Sequence, residues 1–153
     1  MVRLSDYEPR ERRHLRDLPC PTFTTTPFVW PPALHRARIA LVSTAGLQRR
    51  GDAPFGIGDG GYRIIPAAIE ADELVMSHIS TNFDRTGFQM DINMVLPLDR
   101  LRELADAGTI GSVAGYHYSF MGATDPGRME TSARAVAKLL HGDAVDAVVL
   151  VPA

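Results

Sequence analysis

Two histidines are the first residues of this sequence whose type and position could do chemistry. His78 and His117 each lie near the end of an apolar stretch that predicts a strand. The carboxyl ends of parallel strands meet at one edge of a sheet, so the two imidazoles could converge there as acid and base. No His-x3-His or histidine–carboxylate spacing accompanies them, and we therefore predict no metal site.

A loop at residues 82–93 carries the second group of polar side chains. Asp84 and Arg85 are adjacent in it, and a guanidinium fork matches a substrate carboxylate in a bidentate pair. The alternative is a charged turn in which Asp84 caps amides and Arg85 pairs with Asp91. Both interpretations stay open on the spacing alone; the first predicts a substrate site that combines this loop with the residues after the first predicted strand: Asn82, Asp84, Arg85, Ser43, Thr44 and Gly46.

Three further features lack the context that their chemistry needs. The glycine-rich stretch at 56–61 precedes a strand pattern, whereas a dinucleotide fingerprint requires a helix N-terminus there. Residues 82–93 begin like a calcium loop, but Asn93 stands where a bidentate glutamate belongs. Cys20 lies between two prolines with no neighbouring base to lower the pKa of its thiol, which favours a structural role.

The elements that must position these residues alternate between strand and helix patterns. Residues 39–42 and 147–151 are short apolar runs typical of parallel strands buried on both faces. An amphipathic helix is predicted between Pro97 and Gly108, and a second one at residues 129–141. Further strand patterns lie at residues 62–66, 73–80 and 110–120.

This order of elements predicts an α/β domain at residues 36–153. Its sheet is expected to be open and mostly parallel with flanking helices, Rossmann-like or flavodoxin-like. Residues 1–35 form a separate N-terminal part, with a polar helix from Ser5 to Leu18 that Ser5 would cap.

A proline-rich arm follows that helix. Five prolines between residues 19 and 32 exclude a helix or a central strand, so the arm is predicted to be extended. Its aromatic side chains, Phe23, Phe28 and Trp30, must be buried on the domain or on another subunit, and this first indicates oligomerisation.

Composition excludes several functional classes. The chain has 45% hydrophobic and 22% charged residues with a formal net charge of -2, so no overall positive field favours nucleic acid. A single cysteine excludes an intrachain disulfide. The charged N-terminus is unlike a signal peptide, and no apolar stretch approaches the roughly 18 residues of a membrane span. We therefore expect a cytoplasmic protein without nucleic-acid or membrane partners.

Four strings carry a family resemblance: VSTAGL (42–47), SHISTNFDRTGF (77–88), NMVLPLDRL (93–101) and YSFMGA (118–123). In this order they resemble the N-terminal part of the selenoprotein B family, the B subunits and relatives of the glycine, sarcosine, betaine and D-proline reductases. The resemblance covers nearly the whole chain.

The resemblance implies a redox motif directly after the strand at residues 145–153. In the family this motif is selenocysteine, or cysteine in some relatives, followed by two residues and a cysteine. Because selenocysteine is encoded by UGA, which is ordinarily read as stop, we hypothesise that the next codon after Ala153 is UGA. No other cofactor is expected.

The implied activity is reductive cleavage of a C–N bond in a small amino acid or related compound. A selenol is ionised at neutral pH and would be the nucleophile. Arg85 would hold the substrate carboxylate with Asp84 orienting it, and His78 or His117 would protonate the leaving amine. A second copy or a partner reductase subunit is the expected protein partner. The alternative is a self-sufficient small-molecule-binding or subunit-docking domain, without catalysis, that uses residues 77–88 and the arm.

Overall fold

The computed structural model, which describes residues 3–18, 22, 24, 28–80 and 85–153, is a mixed α/β structure built around one central strand. The strands are β1 (Arg38–Ser43), β2 (Leu47–Arg49), β3 (Arg63–Pro66), β4 (Leu74–Met76), β5 (Ser112–Val113), β6 (Tyr116–Ser119) and β7 (Ala147–Val151). The α-helices are α1 (Pro9–Arg16), α2 (Thr86–Met90), α3 (Leu98–Asp106) and α4 (Pro126–Gly142). Short 3-10 segments lie at Leu4–Asp6, Leu34–Arg36, Ala71–Glu73 and Ile92–Met94.

Strand β1 is paired along both of its edges. On one edge β7 runs parallel to it, in register from Ile39 opposite Ala147 to Ser43 opposite Val151. On the other edge β5 pairs in parallel with the first half of β1, and β6 with the second half. Strand β3 adds to β6 in the antiparallel direction. The prediction of a mostly parallel sheet is therefore confirmed.

The strand predicted at residues 110–120 is interrupted at Ala114 and Gly115. Val113 pairs with Ile39 and Tyr118 pairs with Val42, so the segment beside β1 contains more residues between these two pairs than β1 does. The Gly115 amide donates to Asp143 Oδ2 at 2.9 Å, and Asp143 Oδ1 forms an ion pair with Arg38 Nη2 at 2.6 Å. Burial would raise the pKa of Asp143, but the hydrogen bonds from Arg38 and Gly115 outweigh it and hold that pKa below its ordinary value.

Helices α3 and α4 cover opposite faces of the sheet. Successive side chains of β1 point to opposite faces, and each helix packs on one of them. On one face Ile39 and Leu41 pack in a cluster with Leu98 and Leu101 of α3. On the other face the cluster consists of Val42, Tyr62, Tyr118 and Phe120 with Met129, Val136 and Leu140 of α4.

Both long helices are confirmed, with one shift of boundary. Helix α3 begins directly after Pro97, and Gly108 follows its end with a left-handed φ of 67°. Helix α4 begins at Pro126, before the predicted start, because Asp125 caps it by accepting a hydrogen bond from the Gly127 amide at 2.7 Å.

Strand β7 differs from its prediction in burial. The sequence predicts a strand buried on both faces, yet Val148 and Val149 are partly exposed and Leu150 is 72% exposed. The prediction was wrong because, among the described residues, β7 pairs with β1 alone, and the helices pack over the β1 and β6 side chains instead.

The N-terminal part also differs from its prediction. A 3-10 turn at Leu4–Asp6 precedes α1, so Ser5 lies inside that turn and does not cap the helix. Helix α1 begins at Pro9, since the first helical turn needs no amide hydrogen there.

The described portion of the arm is not packed on the domain. Phe28 and Trp30 are 89% and 100% exposed, so burial on the body of this chain does not occur for them. Cys20 and Phe23 lie outside the described residues.

Candidate active site

The loop after β1 forms the floor of the candidate site. Ser43, the last residue of β1, is fully buried, and its hydroxyl accepts a hydrogen bond from the Ala45 amide of this loop at 3.2 Å. Ala45 forms a β-bridge with Met121, and the Gly46 amide donates to the Phe120 carbonyl at 2.9 Å. The loop is thus held against the segment that follows β6, at the carboxyl edge of the parallel sheet.

A small antiparallel sheet brings His78 to this loop. Strand β2 pairs with β4, from Leu47 opposite Met76 to Arg49 opposite Leu74. Just beyond β4, the Ser77 amide donates to the Gly46 carbonyl at 2.9 Å. A Cβ atom on Gly46 would lie only 3.1 Å from the His78 backbone nitrogen, so two predicted site residues are in direct contact.

The approach of these two backbones explains why residue 46 is a glycine. Gly46 has a φ of 65°, in the left-handed region. A side chain there would also meet the terminal methyl group of Met121 at 3.1 Å. The position of Gly46 is supported by Ser77, whose hydroxyl donates to Gln48 Oε1 at 2.6 Å and accepts from the Phe55 amide at 2.9 Å.

His78 is a buried imidazole with a positively charged neighbour. Its Nδ1 atom accepts a hydrogen bond from the Ser80 amide at 3.2 Å, and Arg85 Nη2 donates to the His78 carbonyl. Burial lowers the pKa of His78, and the charge of Arg85 lowers it further. Both effects favour the neutral imidazole over its charged form.

Arg85 is the residue of the predicted clamp that the structure describes at this site. Arg85 is exposed directly before α2 and contacts His78 through the hydrogen bond above. Asn82 and Asp84 lie outside the described residues. The predicted pairing of Arg85 with Asp91 is not seen, because Asp91 Oδ1 accepts from the amide and the side chain of Asn93, both at 2.9 Å.

His117 lies inside the sheet instead of at its carboxyl edge. It is the second residue of β6 and is 0% exposed. Its Nδ1 atom accepts a hydrogen bond from the Leu41 amide at 3.0 Å, opposite the interruption between β5 and β6. The imidazole thus accepts the hydrogen bond that a carbonyl of a neighbouring strand would otherwise accept. The expected position at the end of a strand was wrong, because the interruption places His117 beside the middle of β1.

The buried environment of His117 favours its neutral form. Burial lowers its pKa from 6.5 to about 4, the charge of Arg102 acts in the same direction, and Asp143 opposes them. With Nδ1 as an acceptor, the proton is on Nε2. The described residues offer no hydrogen-bond partner to Nε2.

Gly122 was missed as a site residue at the sequence level. Its amide donates to the Thr44 carbonyl at 2.8 Å, which joins the segment after β6 to the loop after β1. The string YSFMGA contains it, but only the contact across the sheet distinguishes it from other glycines.

The glycine-rich stretch at 56–61 is followed by strand β3, as predicted. Asp59 accepts hydrogen bonds from the Gly61 amide at 2.8 Å and from Arg63 at 3.0 Å. The Thr124 hydroxyl donates to the Asp59 carbonyl at 3.0 Å, which ties this loop to the segment before α4. These contacts define a structured turn without the strand–turn–helix context of a dinucleotide site.

The described residues contain neither a metal-binding cluster nor a helix that could span a membrane. Within the described ranges, no three His, Cys, Asp or Glu side chains are grouped so that they could hold a metal ion. Among the helices of those same ranges, none has the length and apolarity needed to cross a membrane.

Comparison with known proteins identifies the family. Residues 10–153 match the family described as Glycine/sarcosine/betaine reductase selenoprotein B. The chain belongs to this family. The selenoprotein B resemblance carried by the four sequence strings is thus confirmed, and those strings include the Gly46, His78 and Gly122 segments of the site. No solved structure matches the chain.

Individual relatives within the selenoprotein B family are reductase subunits. The D-proline reductase subunit gamma of Acetoanaerobium sticklandii is 32% identical over 132 residues, which cover 82% of this chain and 54% of that protein. The glycine reductase complex component B subunit gamma of Symbiobacterium thermophilum is 30% identical over 141 residues, covering 88% of this chain and 33% of that protein.

A sarcosine reductase complex component B subunit beta, from Peptoclostridium acidaminophilum, is 30% identical over 125 residues, covering 76% of this chain and 28% of that protein. The chain therefore spans about half, or less, of the length of these curated relatives. The names of these relatives support oxidoreductase chemistry at the level of the family.

Proposed function

We propose that this chain is the N-terminal part of a selenol- or thiol-dependent reductase subunit, inactive alone, that cleaves the C–N bond of a small amino acid or related compound. Family membership supports this. The observation that carries it is the edge of the sheet where the loop after β1 touches both His78 and the end of β7, because the Thr44 amide donates to the Val151 carbonyl at 3.0 Å.

The nucleophile would follow Ala153. Its selenolate or thiolate attacks the carbon that bears the nitrogen, so that a carbon–selenium or carbon–sulfur bond forms as the C–N bond breaks and the protonated amine leaves. A nearby cysteine thiolate then attacks the selenium or sulfur, forming the selenide–sulfide or disulfide bond. The released carbon takes a proton, and an external dithiol reduces the pair.

This chemistry assigns roles to the candidate residues. Arg85 would hold the substrate carboxylate, with Asp84 and Asn82 in the same loop, while Ser43, Thr44 and Gly46 shape the floor. His78 is better placed than His117 to protonate the leaving amine, because it lies beside Gly46 whereas His117 is inside the sheet. Apart from the redox pair no cofactor is proposed.

The nucleotide sequence and an assay of the complete gene product test the proposal. We expect an in-frame UGA or cysteine codon after Ala153, with a cysteine codon soon after it. The complete product, with the subunits that copurify with it, should release amine from glycine, sarcosine or betaine, or open the ring of D-proline to a linear amino acid, in the presence of dithiothreitol. A stop codon other than UGA after Ala153, or a reading frame without an extension, would contradict the proposal.

Replacing Arg85 by alanine should weaken substrate binding by the complete gene product about 10- to 100-fold, since a charge-assisted hydrogen bond to a carboxylate is lost. Isothermal titration with each of the four substrates measures the change. Arg50→Ala is the matched control, because Arg50 is also exposed and donates to a backbone carbonyl, that of Asp72 at 2.8 Å, away from the site. Unchanged affinity in Arg85→Ala would remove Arg85 from this role.

The exposed arm supports a second candidate function, that of a subunit-docking or small-molecule-binding domain. Three consecutive apolar residues are 80% to 100% exposed: Phe28, Val29 and Trp30. We propose that they pack on a second copy or on a partner reductase subunit in the cytoplasm. Mass measured in solution for the wild type and for Trp30→Ala tests it: an unchanged monomer in both, with no copurifying subunit, would contradict docking.

The proposal extends to the shape of the complete sheet. The open edge at β7 and the helices on both faces support a Rossmann-like or flavodoxin-like sheet in the whole subunit, with further strands beyond β7. A structure of the complete gene product in which β7 stays at the edge would contradict it.

A further inference from the structure

The side chain of Thr44 forms a hydrogen bond with the segment that follows β7. Its hydroxyl oxygen accepts a hydrogen bond from the Ala153 amide at 2.9 Å and lies 3.4 Å from the Ala153 carbonyl oxygen. The last regular residue of β7 is Val151. The threonine side chain thus extends the attachment of β7 by two residues beyond the strand.

The Thr44 side chain makes this attachment. Pro152 has no amide hydrogen, so Ala153 supplies the first donor after Val151. The Thr44 carbonyl accepts from the Gly122 amide at 2.8 Å. The Ala153 amide donates instead to the hydroxyl oxygen, which is the acceptor that Thr44 contributes to residue 153.

Gly122 allows three segments to pack closely together: the loop after β1, the residues after β6 and the end of β7. A Cβ atom at residue 122 would lie 2.9 Å from the Thr44 carbonyl oxygen and 3.0 Å from the Ala153 carbonyl oxygen. Even a methyl group there would push the end of β7 away from Thr44. Both the absence of a side chain at 122 and the hydroxyl at 44 thus maintain one geometry at residue 153.

We propose that Thr44 is a positioning residue that sets the direction in which the chain leaves Ala153. The inference rests on the proposed function, in which the redox nucleophile is the next residue. A peptide group held at Ala153 restricts where that nucleophile can lie relative to His78 and Arg85. Displacement of a reacting atom by about 1 Å costs on the order of 100-fold in rate.

The first experiment measures the attachment itself by amide hydrogen exchange in the 153-residue chain. Thr44→Val keeps the shape of the side chain but removes the acceptor, so the Ala153 amide should exchange about tenfold faster. Thr44→Ser restores the hydroxyl and should restore the slow exchange. Thr124→Val is the control, because the Thr124 hydroxyl also bonds to backbone, at Asp59, but does not touch β7. The Val149 amide, within the β1–β7 pairing, should be unchanged in all three variants.

The second experiment measures turnover of the complete gene product. Thr44→Val should lower kcat by about 10- to 100-fold with KM unchanged, and Thr44→Ser should recover most of the loss. Unchanged exchange at Ala153 in Thr44→Val would overturn the attachment, and faster exchange with unchanged kcat would overturn the positioning role. A wild-type product without reductase activity would refute the proposed function, and the positioning role with it, even where the exchange result holds.

Discussion

Replacing His117 by leucine should lower the free energy of unfolding by about 2 kcal/mol near pH 8, because the buried Leu41 amide loses its acceptor. The imidazole is 0% exposed, and its Nδ1 atom is 3.0 Å from that amide. Leucine has a similar volume, so the loss comes mainly from the unsatisfied amide. His117→Asn is the matched control, since its side-chain oxygen can occupy the place of Nδ1, and it should retain about half of the stability that leucine loses.

The same histidine should make folding sensitive to acid. Its pKa is about 4 in the folded protein and 6.5 as the ordinary value, so between these values the unfolded chain binds more protons. The free energy of unfolding should therefore fall as the pH drops from 6.5 to about 4, by roughly 3 kcal/mol in total. Above pH 6.5 the imidazole is neutral in both states and contributes no slope.

Urea denaturation at several pH values measures this contribution by difference. His78 also has a lowered pKa, so the wild type keeps some slope from that residue. Both His117→Leu and His117→Asn should lose the larger part of the slope between pH 6.5 and 4. The carboxylates with lowered pKa values, such as Asp59 and Asp143, lose most of their contribution below pH 4, and both His117 variants keep that part of the slope. A slope in His117→Leu equal to that of the wild type would contradict the role assigned to His117.

Substituting Gly46 by alanine should destabilise the protein by about 2–4 kcal/mol and disturb the candidate site. The left-handed backbone alone costs about 1–2 kcal/mol for a residue with a Cβ atom. The new methyl group would also lie 3.1 Å from the His78 nitrogen and 3.2 Å from its Cα atom. Because those atoms are backbone, relief requires the His78 segment to move away from the loop after β1.

Gly108→Ala separates the two costs. Gly108 has nearly the same φ, 67° against 65° for Gly46, but a Cβ atom there would meet nothing within 4 Å. Its substitution should cost only the backbone term of about 1–2 kcal/mol. Equal losses of unfolding free energy in the two variants would show that the contact between Gly46 and His78 is not tight. In the complete gene product, only Gly46→Ala should reduce turnover beyond the effect of stability.

Local sequence features predicted the elements whose formation depends on their own residues. The apolar run at 39–42 lies in the central strand β1. The segment between Pro97 and Gly108, with Leu98 and Leu101 on one face, forms α3. These predictions held because the apolar period and the helix-terminating residues act within one segment. The predicted start of α1 was wrong, because the helix begins at Pro9 and Ser5 lies in a separate 3-10 turn.

The pairing of segments distant in sequence required the tertiary structure. The run at 110–120 reads as one strand, yet a single ion pair from Arg38 to Asp143, together with the Gly115 amide bond to Asp143, accompanies its division into β5 and β6. That division changes His117 from a candidate at the rim into an acceptor within the sheet. The burial of β7 was also mispredicted, because an apolar strand is buried only if another layer covers it.

The sequence by itself determined the family, the mixed α/β class and the segments that carry the candidate site, because these depend on residue order and local patterns. The tertiary structure decided which of those segments touch: Gly46 with His78, Arg85 with the His78 carbonyl, and Thr44 with Ala153 across 109 residues. The physical reason is that one partner in each contact is a backbone group, and the first contact also depends on the absence of a side chain at Gly46. Neither leaves a distinctive pattern in the sequence, and both appear only when the strands are paired in register.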